Sequence, residues 1–186
     1  ATKQTVISPI QKVSLTEVDA ECKKALSEQA EYLKSENLSE QFTFDKYKIS
    51  DSLRGEPADL DINSNKFARE FRTMIRNELE TEGVNFAGHY SMVGVGMTGS
   101  GTSVYIVDRT NGKAYTLPYY AYRIDFNTES NLIILNPKNL ILDELREASL
   151  NEACYSSWTG KYGVSLTDLR PFYFLWENNK LKLLGP

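Results

Sequence analysis

Residues 86–117, FAGHYSMVGVGMTGSGTSVYIVDRTNGKAYTL, contain the pattern on which the predicted fold depends. Two runs rich in β-forming residues, 86–97 and 102–108, lie on either side of Thr98-Gly99-Ser100-Gly101 and predict a first pair of strands. The Asn-Gly pair at 111–112 predicts a tight hairpin turn, because these residues tolerate the positive φ angles of a type I′ turn. The stretch therefore predicts consecutive antiparallel strands with no helix between them.

Further strands are predicted on both sides of this stretch. Residues 41–49 (QFTFDKYKI) place aromatic residues among polar ones and predict a strand. Residues 122–127 and 131–136 predict another antiparallel pair. Residues 171–176 and 181–184 predict a terminal hairpin, whose turn lies in Glu177-Asn-Asn-Lys180.

Helical periodicity marks the N-terminal part of the chain. A helix starting near residue 16 is predicted by apolar residues spaced by four and seven, namely Val18, Cys22, Leu26 and Leu33. A helix over 64–80 is predicted by a stripe at strict four-residue spacing, formed by Phe67, Phe71, Ile75 and Leu79. Residues 140–149 predict a third helix.

This order of elements predicts an α+β fold, with N-terminal helices packed on a mostly antiparallel β meander. The length of 186 residues fits a single domain, 1–186. Within that domain we expect residues 1–83 to be mainly helical and residues 84–186 to form the meander.

Composition removes several classes of function. One His and two Cys are too few for a multi-histidine zinc site, a Cys₄ site or an iron–sulfur cluster, so no metal site is expected. The net charge of −4 gives no basic footprint for nucleic acid. No apolar run approaches the roughly 18 residues of a membrane-spanning helix, so no transmembrane segment is expected.

The two cysteines and the first residue bear on the compartment. Cys22 lies on the apolar stripe of the first helix, and Cys154 lies in a polar and aromatic stretch. A disulfide between them and two separate thiols both fit the sequence. A start at Ala1 without Met fits a mature exported protein left after signal-peptide cleavage, and equally a chain trimmed at its N-terminus.

One stretch matches a nucleotide-binding motif in sequence but not in its predicted secondary structure. Gly94-Val-Gly96-Met-Thr-Gly99 matches G-x-G-x-x-G, but a dinucleotide site needs a helix after the glycines, and here a strand is predicted. The chain also has no Gly-Lys-Ser/Thr of a P-loop. We therefore expect a flexible or sharply bent β–β connection and no cofactor.

His89 is the only histidine and hence the only candidate imidazole base. A hydrolase would need it beside a nucleophile such as Ser100, Ser103 or Cys154, with an acid to orient it. No G-x-S-x-G elbow is present, and a histidine hydrogen-bonded at the start of a strand fits the same sequence. We keep the hydrolase as an alternative.

The aromatic residues are the stronger signal. Of 21 in the chain, only Tyr32 falls in the first 41 residues, and eight fall between 86 and 126. Segments that mix aromatic, turn and polar residues suit contact surfaces, and they supply the candidates Tyr119, Tyr120, Tyr122, Arg123 and Trp158. The glycine-rich hairpin adds Thr98, Gly99, Ser100, Gly101 and Tyr105. Packing of these rings over the sheet is the competing interpretation.

Four segments resemble a known group of proteins: Asn85-Phe-Ala-Gly-His-Tyr90, the glycine-rich loop at 94–101, Ile106-Val-Asp-Arg-Thr-Asn-Gly-Lys113 and Trp176-Glu-Asn-Asn-Lys-Leu-Lys182. Over 84–184 the chain is similar to exported bacterial proteins of unassigned function. These share an F-x-G-H/K-Y strand, a glycine-rich loop, an I-V-D-x-x-T-G-K-like hairpin and a terminal W-E-x-x-K hairpin. The resemblance implies a periplasmic or secreted bacterial protein and implies no activity.

Together these observations predict an exported bacterial binding protein, inhibitor-like or immunity-like. We expect it to contact a protein partner, such as a toxin or a cell-wall hydrolase, through the glycine-rich hairpin loop and the aromatic surface. Two alternatives stay open, a hydrolase with His89 as its base and a structural cell-envelope protein.

Overall fold

The structure is a computed structural model that describes residues 15–97, 101–119, 121–151, 154 and 165–186. The described helices are α1 (Leu15–Ser35), α2 (Leu38–Gln41), α3 (Lys66–Glu70), α4 (Arg72–Glu82) and α5 (Lys138–Leu150). The described strands are β1 (Tyr90–Met97), β2 (Gly101–Asp108), β3 (Ala114–Thr116), β4 (Ile124–Asp125), β5 (Leu132–Leu135), β6 (Phe172–Glu177) and β7 (Lys180–Gly185). These elements confirm the predicted α+β fold of N-terminal helices and antiparallel strands.

The strands form two antiparallel sheets, ordered β1-β2-β3 and β4-β5-β6-β7. Alternate residues of a strand point to opposite faces, so each sheet has two chemically separate sides. One side of the first sheet and one side of the second share a buried cluster, which includes Met92, Ile106, Ile133, Phe174 and Trp176. The two sheets therefore pack against each other through this cluster.

The opposite side of the first sheet is covered by α3 and α4. Val93 and Tyr105 on the strands pack with Ala68, Ile75 and Leu79 on the helices, and all five are buried. Both sides of the first sheet are thus apolar, which explains the near-continuous apolar run in β2.

A third cluster joins α1 to α5. Leu26 and Leu33 of α1 pack with Ile141 and Leu145 of α5, and the buried Gln29 donates a hydrogen bond of 2.8 Å to the carbonyl of Leu169. The same cluster contains a disulfide between Cys22 and Cys154, with 132 residues of separation along the chain. The pairing that the sequence left open is therefore present in the structure, and it ties α1 to the chain beyond α5.

An extended segment, residues 51–62, lies along the turns of the first sheet. Its backbone N–H groups donate to carbonyl groups of these turns: Leu53 to Gly88 at 2.8 Å, Ala58 to Arg109 at 2.7 Å, and Asp61 to Gly112 at 2.8 Å. Gly88 and Gly112 both have positive φ, and a Cβ at either would lie 1.9 Å from a carbonyl oxygen of the segment. Only glycine lets the two backbones approach this closely.

The predicted strand over 41–49 is wrong. Residues Phe44–Tyr47 form a 3₁₀ turn, and only Lys48 makes an isolated bridge, to Ser130. The ring centroids of Phe42 and Tyr47 lie 6.4 Å apart, whereas residues five apart in a strand are separated by about 17 Å. In this arrangement Phe42 packs on Tyr173 of the second sheet, with the ring centroids 5.1 Å apart.

The predicted helix over 64–80 is present as two helices that meet at Phe71. Asn65 caps α3 by accepting from the backbone N–H groups of Phe67 and Ala68. Ile75 and Leu79 are buried, but Phe67 is 51% exposed, so the predicted apolar stripe is wrong at its first residue. Four residues advance a helix by about 40° more than one turn, so a strict four-residue stripe drifts off the buried face.

The hairpin between β2 and β3 lies where the sequence predicts it, but the turn type is wrong. Only Gly112 of the Asn-Gly pair has positive φ, and four residues, 109–112, form the loop. The Asp108 carboxylate holds this loop by accepting from the N–H and hydroxyl of Thr110 and from Nδ2 of Asn111. The positive φ angles of a type I′ turn occur instead at Asn178 and Asn179, in the terminal hairpin.

Removal of the disulfide tests how much the link between α1 and the chain beyond α5 stabilises the fold. We expect Cys22→Ala/Cys154→Ala to lower the free energy of unfolding by about 5 kcal/mol, because the cross-link closes a loop across 132 residues and so lowers the entropy of the unfolded chain. Urea denaturation with and without reductant measures this. Reductant should lower the stability of the natural chain and leave the variant unchanged; equal sensitivity of both would contradict the prediction.

Substitution of two glycines with positive φ distinguishes the cost of backbone strain from the cost of a steric clash with the extended segment 51–62. Gly55→Ala meets no atom within 4 Å and should cost about 1 kcal/mol from its φ alone. Gly112→Ala places Cβ against the Asp59 carbonyl, and we expect it to cost at least about 2 kcal/mol more. Urea denaturation compares the two variants, and equal losses would show that the segment is not held against this turn.

Candidate functional site

The structure describes part of the predicted contact surface. Gly101 is the first residue of β2 and pairs with Met97 of β1. The ladder between β2 and β3 ends at the pair of Tyr105 with Thr116. From there toward Gly101, the described residues of β2 form ladder pairs only with β1. Five of the predicted contact residues lie outside the described part of the chain: Thr98, Gly99, Ser100, Tyr120 and Trp158.

The prediction that Tyr105 supplies a surface contact is wrong. Its side chain is 1% exposed and packs in the cluster between the first sheet and α4. Burial, with a smaller contribution from the Glu70 carboxylate, raises the pKa of Tyr105. Its position follows from strand alternation, because residues of this parity in β2 face the helices.

The segment after β3 divides between surface and core. Tyr119 is 47% exposed, and its ring centroid lies 4.8 Å from that of Phe174. Tyr122 is half-buried and packs against the cluster between α1 and α5. The Arg123 guanidinium is exposed, lies 5.4 Å from the centre of the Tyr122 ring and forms a 3.2 Å ion pair with Glu144. Tyr119 is therefore the member of this set that presents its ring to solvent.

A cleft of about 550 Å³ opens between β3 and the β6–β7 hairpin. We name it the aromatic–lysine cleft and define it by the residues Lys113, Tyr115, Tyr119, Trp176, Asn179 and Lys180, together with the turn at 64–65. Its volume lies in the range of small-ligand and side-chain pockets in proteins. The cleft unites part of the predicted aromatic surface with two hairpin turns.

Edge-to-face aromatic contacts build the rear wall of the cleft. The Trp176 ring is 5% exposed, and its centroid lies 5.5 Å from Tyr115 and 5.8 Å from Tyr90, at interplanar angles of 68° and 87°. The Tyr90 hydroxyl donates to Oδ1 of Asn179 at 2.8 Å. The contacts of Trp176 and Tyr90 tie the two sheets together and hold the wall in one arrangement.

The tyrosine hydroxyls of this wall stay protonated at neutral pH. Burial raises the pKa of Tyr90, contact with Trp176 opposes the rise, and the Asp108 and Tyr115 charges add to it. Burial, and then the Asp108 carboxylate, raise the pKa of Tyr115. Trp176 Nε1 forms no hydrogen bond with a described group. It nevertheless lies close enough to the Tyr90 hydroxyl to oppose the rise in its pKa.

The turn at 64–65 covers the outer edge of β3. Ser64 Oγ accepts from the backbone N–H of Ala114 at 3.0 Å, and Asn65 Nδ2 donates to Oγ1 of Thr116 at 3.0 Å. An edge strand normally offers its free N–H and C=O groups to a further strand. Here the Ser64 side chain occupies one of these backbone groups, the N–H of Ala114, and the Asn65 side chain lies beside the strand.

His89 lies on the turn before β1. Its ring centroid is 4.2 Å from that of Tyr90, and its carbonyl accepts from the N–H of Arg109 at 2.8 Å. In the described part of the chain, no hydrogen bond joins its ring to a hydroxyl, thiol or carboxylate. The nearby Asp108 carboxylate is occupied by Thr110 and Asn111, and Cys154 is bound in the disulfide.

Arg109 is a buried cation beside this turn. It is 9% exposed, and its Nε and Nη1 atoms have no hydrogen-bond partner among the described residues. Burial lowers the pKa of Arg109, and the Asp59 carboxylate opposes that change. Asp59 itself forms a 3.1 Å ion pair with Arg76, so its charge is shared between two guanidinium groups.

Sequence reasoning missed most of the cleft. Tyr115 and Trp176 were expected within hairpins, and neither Lys113 nor Lys180 was a candidate. One signal is visible in retrospect, because each lysine directly follows a turn rich in Asn and Gly, Asn111-Gly112 or Asn178-Asn179. That signal does not state that the two turns meet, since they lie about 70 residues apart and belong to different sheets.

Comparison of this chain with protein-family models, curated proteins and solved structures found no match. Among the residues that the structure describes, no group of three or more His, Cys, Asp or Glu side chains is arranged to hold a metal ion. The described helices include none with the length and apolar character needed to cross a bilayer. The geometry of the cleft is therefore the basis for a functional proposal.

Two tyrosine substitutions test the division between core and cleft. We expect Tyr105→Ala to lower the free energy of unfolding by about 3–5 kcal/mol, because it empties a buried site. Tyr119→Ala removes a half-exposed ring and should cost about 1 kcal/mol or less. Urea denaturation distinguishes the two, and similar losses would contradict the assignment of Tyr119 to the surface.

Proposed function

We propose that this protein is an exported bacterial binding protein, inhibitor-like or immunity-like, that engages a protein partner through the aromatic–lysine cleft. The observation that carries the proposal is the exposed Tyr119 beside a cleft of about 550 Å³ with aromatic walls. Tyrosine and tryptophan dominate the energetics of protein interfaces because they bury large area with few rotatable bonds. The edge-to-face packing of Trp176 keeps this wall ordered before a partner arrives.

The outer part of the β1–β2 hairpin is the second proposed contact. Gly94 on β1 is exposed, and the strands continue past the level where Leu117 bonds to Val104. A hairpin that extends past its neighbouring strand is sterically suited to enter a partner's cleft. Its glycine-rich connection, which includes Thr98, Gly99 and Ser100, is the part whose deletion tests this contact.

The disulfide supports the proposed location in the periplasm or outside the cell. Disulfides persist in oxidising compartments and are rare in the reducing cytosol. The Cys22–Cys154 bond links two segments of the α1–α5 cluster. It fits a protein that folds after export.

Site-specific photo-crosslinking tests the cleft as a contact surface. A photoreactive phenylalanine analogue replaces Tyr119 in the full exported chain, and a matched variant carries it at Met74, which is similarly exposed at 44% on α4. We expect a discrete protein adduct at position 119 and none at position 74. The crosslinked partner, purified, should bind the Tyr119→Ala variant at least about tenfold more weakly than the natural chain.

Two further variants separate the proposed contacts. Deletion of residues 98–101 should weaken binding of the same partner, and unchanged binding would remove the hairpin connection from the interface. His89→Ala should leave binding unchanged, because His89 does not line the cleft. Absence of any adduct at position 119, or equal binding of Tyr119→Ala, would overturn the proposed function.

A further inference from the structure

The charge of the aromatic–lysine cleft opposes that of the whole chain. Its lining includes Lys113 and Lys180 and no carboxylate, whereas the chain carries a net charge of −4. Both lysines are exposed, and among the described residues neither ammonium group forms an ion pair or hydrogen bond, although Glu177 is the ladder partner of Lys180 on β6. By contrast, three described arginines, Arg76, Arg123 and Arg146, are paired with carboxylates.

The neutral polar groups of the cleft add further donors. Asn179 Oδ1 accepts from the Tyr90 hydroxyl, and the amide nitrogen of Asn179 has no hydrogen-bond partner among the described residues and can donate. The Tyr115 hydroxyl stays protonated and can also donate. Two ammonium groups with amide and hydroxyl donors suit a ligand that is negative and accepts hydrogen bonds, which a carboxylate does.

The aromatic geometry favours a protein side chain over an acidic sugar. Sugars bind by stacking on an open aromatic face, but Trp176 is 5% exposed and meets the rings of Tyr90 and Tyr115 edge to face. Only Tyr119 presents its ring to solvent, and that ring rests on Phe174. Stacking on a sugar is therefore limited to the single ring of Tyr119, whereas a protein side chain can also use the apolar wall and the two cations.

Strand addition is also disfavoured as the mode of contact. Ser64 occupies the backbone N–H of Ala114 at the outer edge of β3, and Asn65 binds the side-chain hydroxyl of Thr116 beside it. We expect a partner segment at this place to reach the cleft with its side chains, because a backbone donor that strand pairing would use is already occupied. A Glu or Asp side chain carries the charge that complements the two lysines.

We propose that the aromatic–lysine cleft binds an acidic side chain of the protein partner, with Lys113 and Lys180 as the charge contacts and Asn179 as an amide donor. This inference rests on the proposed function and specifies the partner's chemistry. Tyr119 covers the apolar part of the acidic residue or of its neighbour. The contact weakens as salt increases, because the lysines lie near solvent.

Amide NMR titration of the full chain tests this with two unlabelled, capped peptides, one alternating glutamate with glycine and the other alternating glutamine with glycine. We expect the glutamate peptide to shift the signals of Lys113, Asn179 and Lys180, and to bind at least about tenfold more tightly than the glutamine peptide. Lys113→Glu/Lys180→Glu should abolish these shifts. Lys182→Glu, on the same strand but outside the cleft, is the charge control and should retain them.

Three results overturn the proposal. Equal binding of the glutamate and glutamine peptides, or no binding of either, removes the carboxylate contact. Equal loss in the Lys182→Glu control shows a general charge effect. Cleft shifts caused by polygalacturonate, an acidic polysaccharide, without shifts from the glutamate peptide assign the cleft to a glycan.

The crosslinked partner distinguishes this inference from the proposed function. If Tyr119→Ala weakens its binding and Lys113→Glu/Lys180→Glu does not, the cleft binds a partner and the acidic contact is overturned. If the glutamate peptide binds as expected but no partner is crosslinked at position 119, the cleft is an anion site and the proposed function is overturned.

Discussion

The cleft depends on a close approach between two backbones, that of the extended segment 51–62 and that of the turns at Gly88 and Gly112. Three hydrogen bonds of 2.7–2.8 Å join them, and a Cβ on either glycine would collide with a carbonyl oxygen. The contact holds the loop at 109–112 in place, and Lys113, the next residue, lines the cleft. It also brings the turn at 64–65 onto the edge of β3, so one constraint positions two walls of the cleft.

The second sheet supplies the other walls through a small set of aromatic contacts. Trp176 of β6 lies edge to face against Tyr90 and Tyr115 of the first sheet, and Asn179 of the terminal hairpin accepts from the Tyr90 hydroxyl. These contacts cross between sheets that share no strand. The lysines at both turns therefore face a common cleft, while acidic residues predominate in the N-terminal 83 residues.

The sequence predictions succeeded where an element depends on residues close together in the chain and failed where it depends on distant ones. The helix through Cys22 and Leu26, the helix over 138–150 and the terminal hairpin depend on local periodicity and turn residues, and the structure contains them. The strand at 41–49 failed because a tertiary contact, Phe42 on Tyr173, outweighed a short alternating pattern. The turn at Asn111-Gly112 failed in type because the Asp108 carboxylate organises a longer loop. The site was predicted only in part, since Tyr119 lines the cleft whereas Tyr105 is core.

The sequence by itself determined the α+β class, the order of most elements and the concentration of aromatic residues in the strand-rich half. These follow from hydrophobic periodicity and turn chemistry, which act over a few residues. Only the tertiary structure decided that the strands form two sheets, that Cys22 pairs with Cys154, and that Lys113 and Lys180 line one cleft. Those outcomes depend on contacts between segments far apart in the chain, whose partners no local pattern specifies.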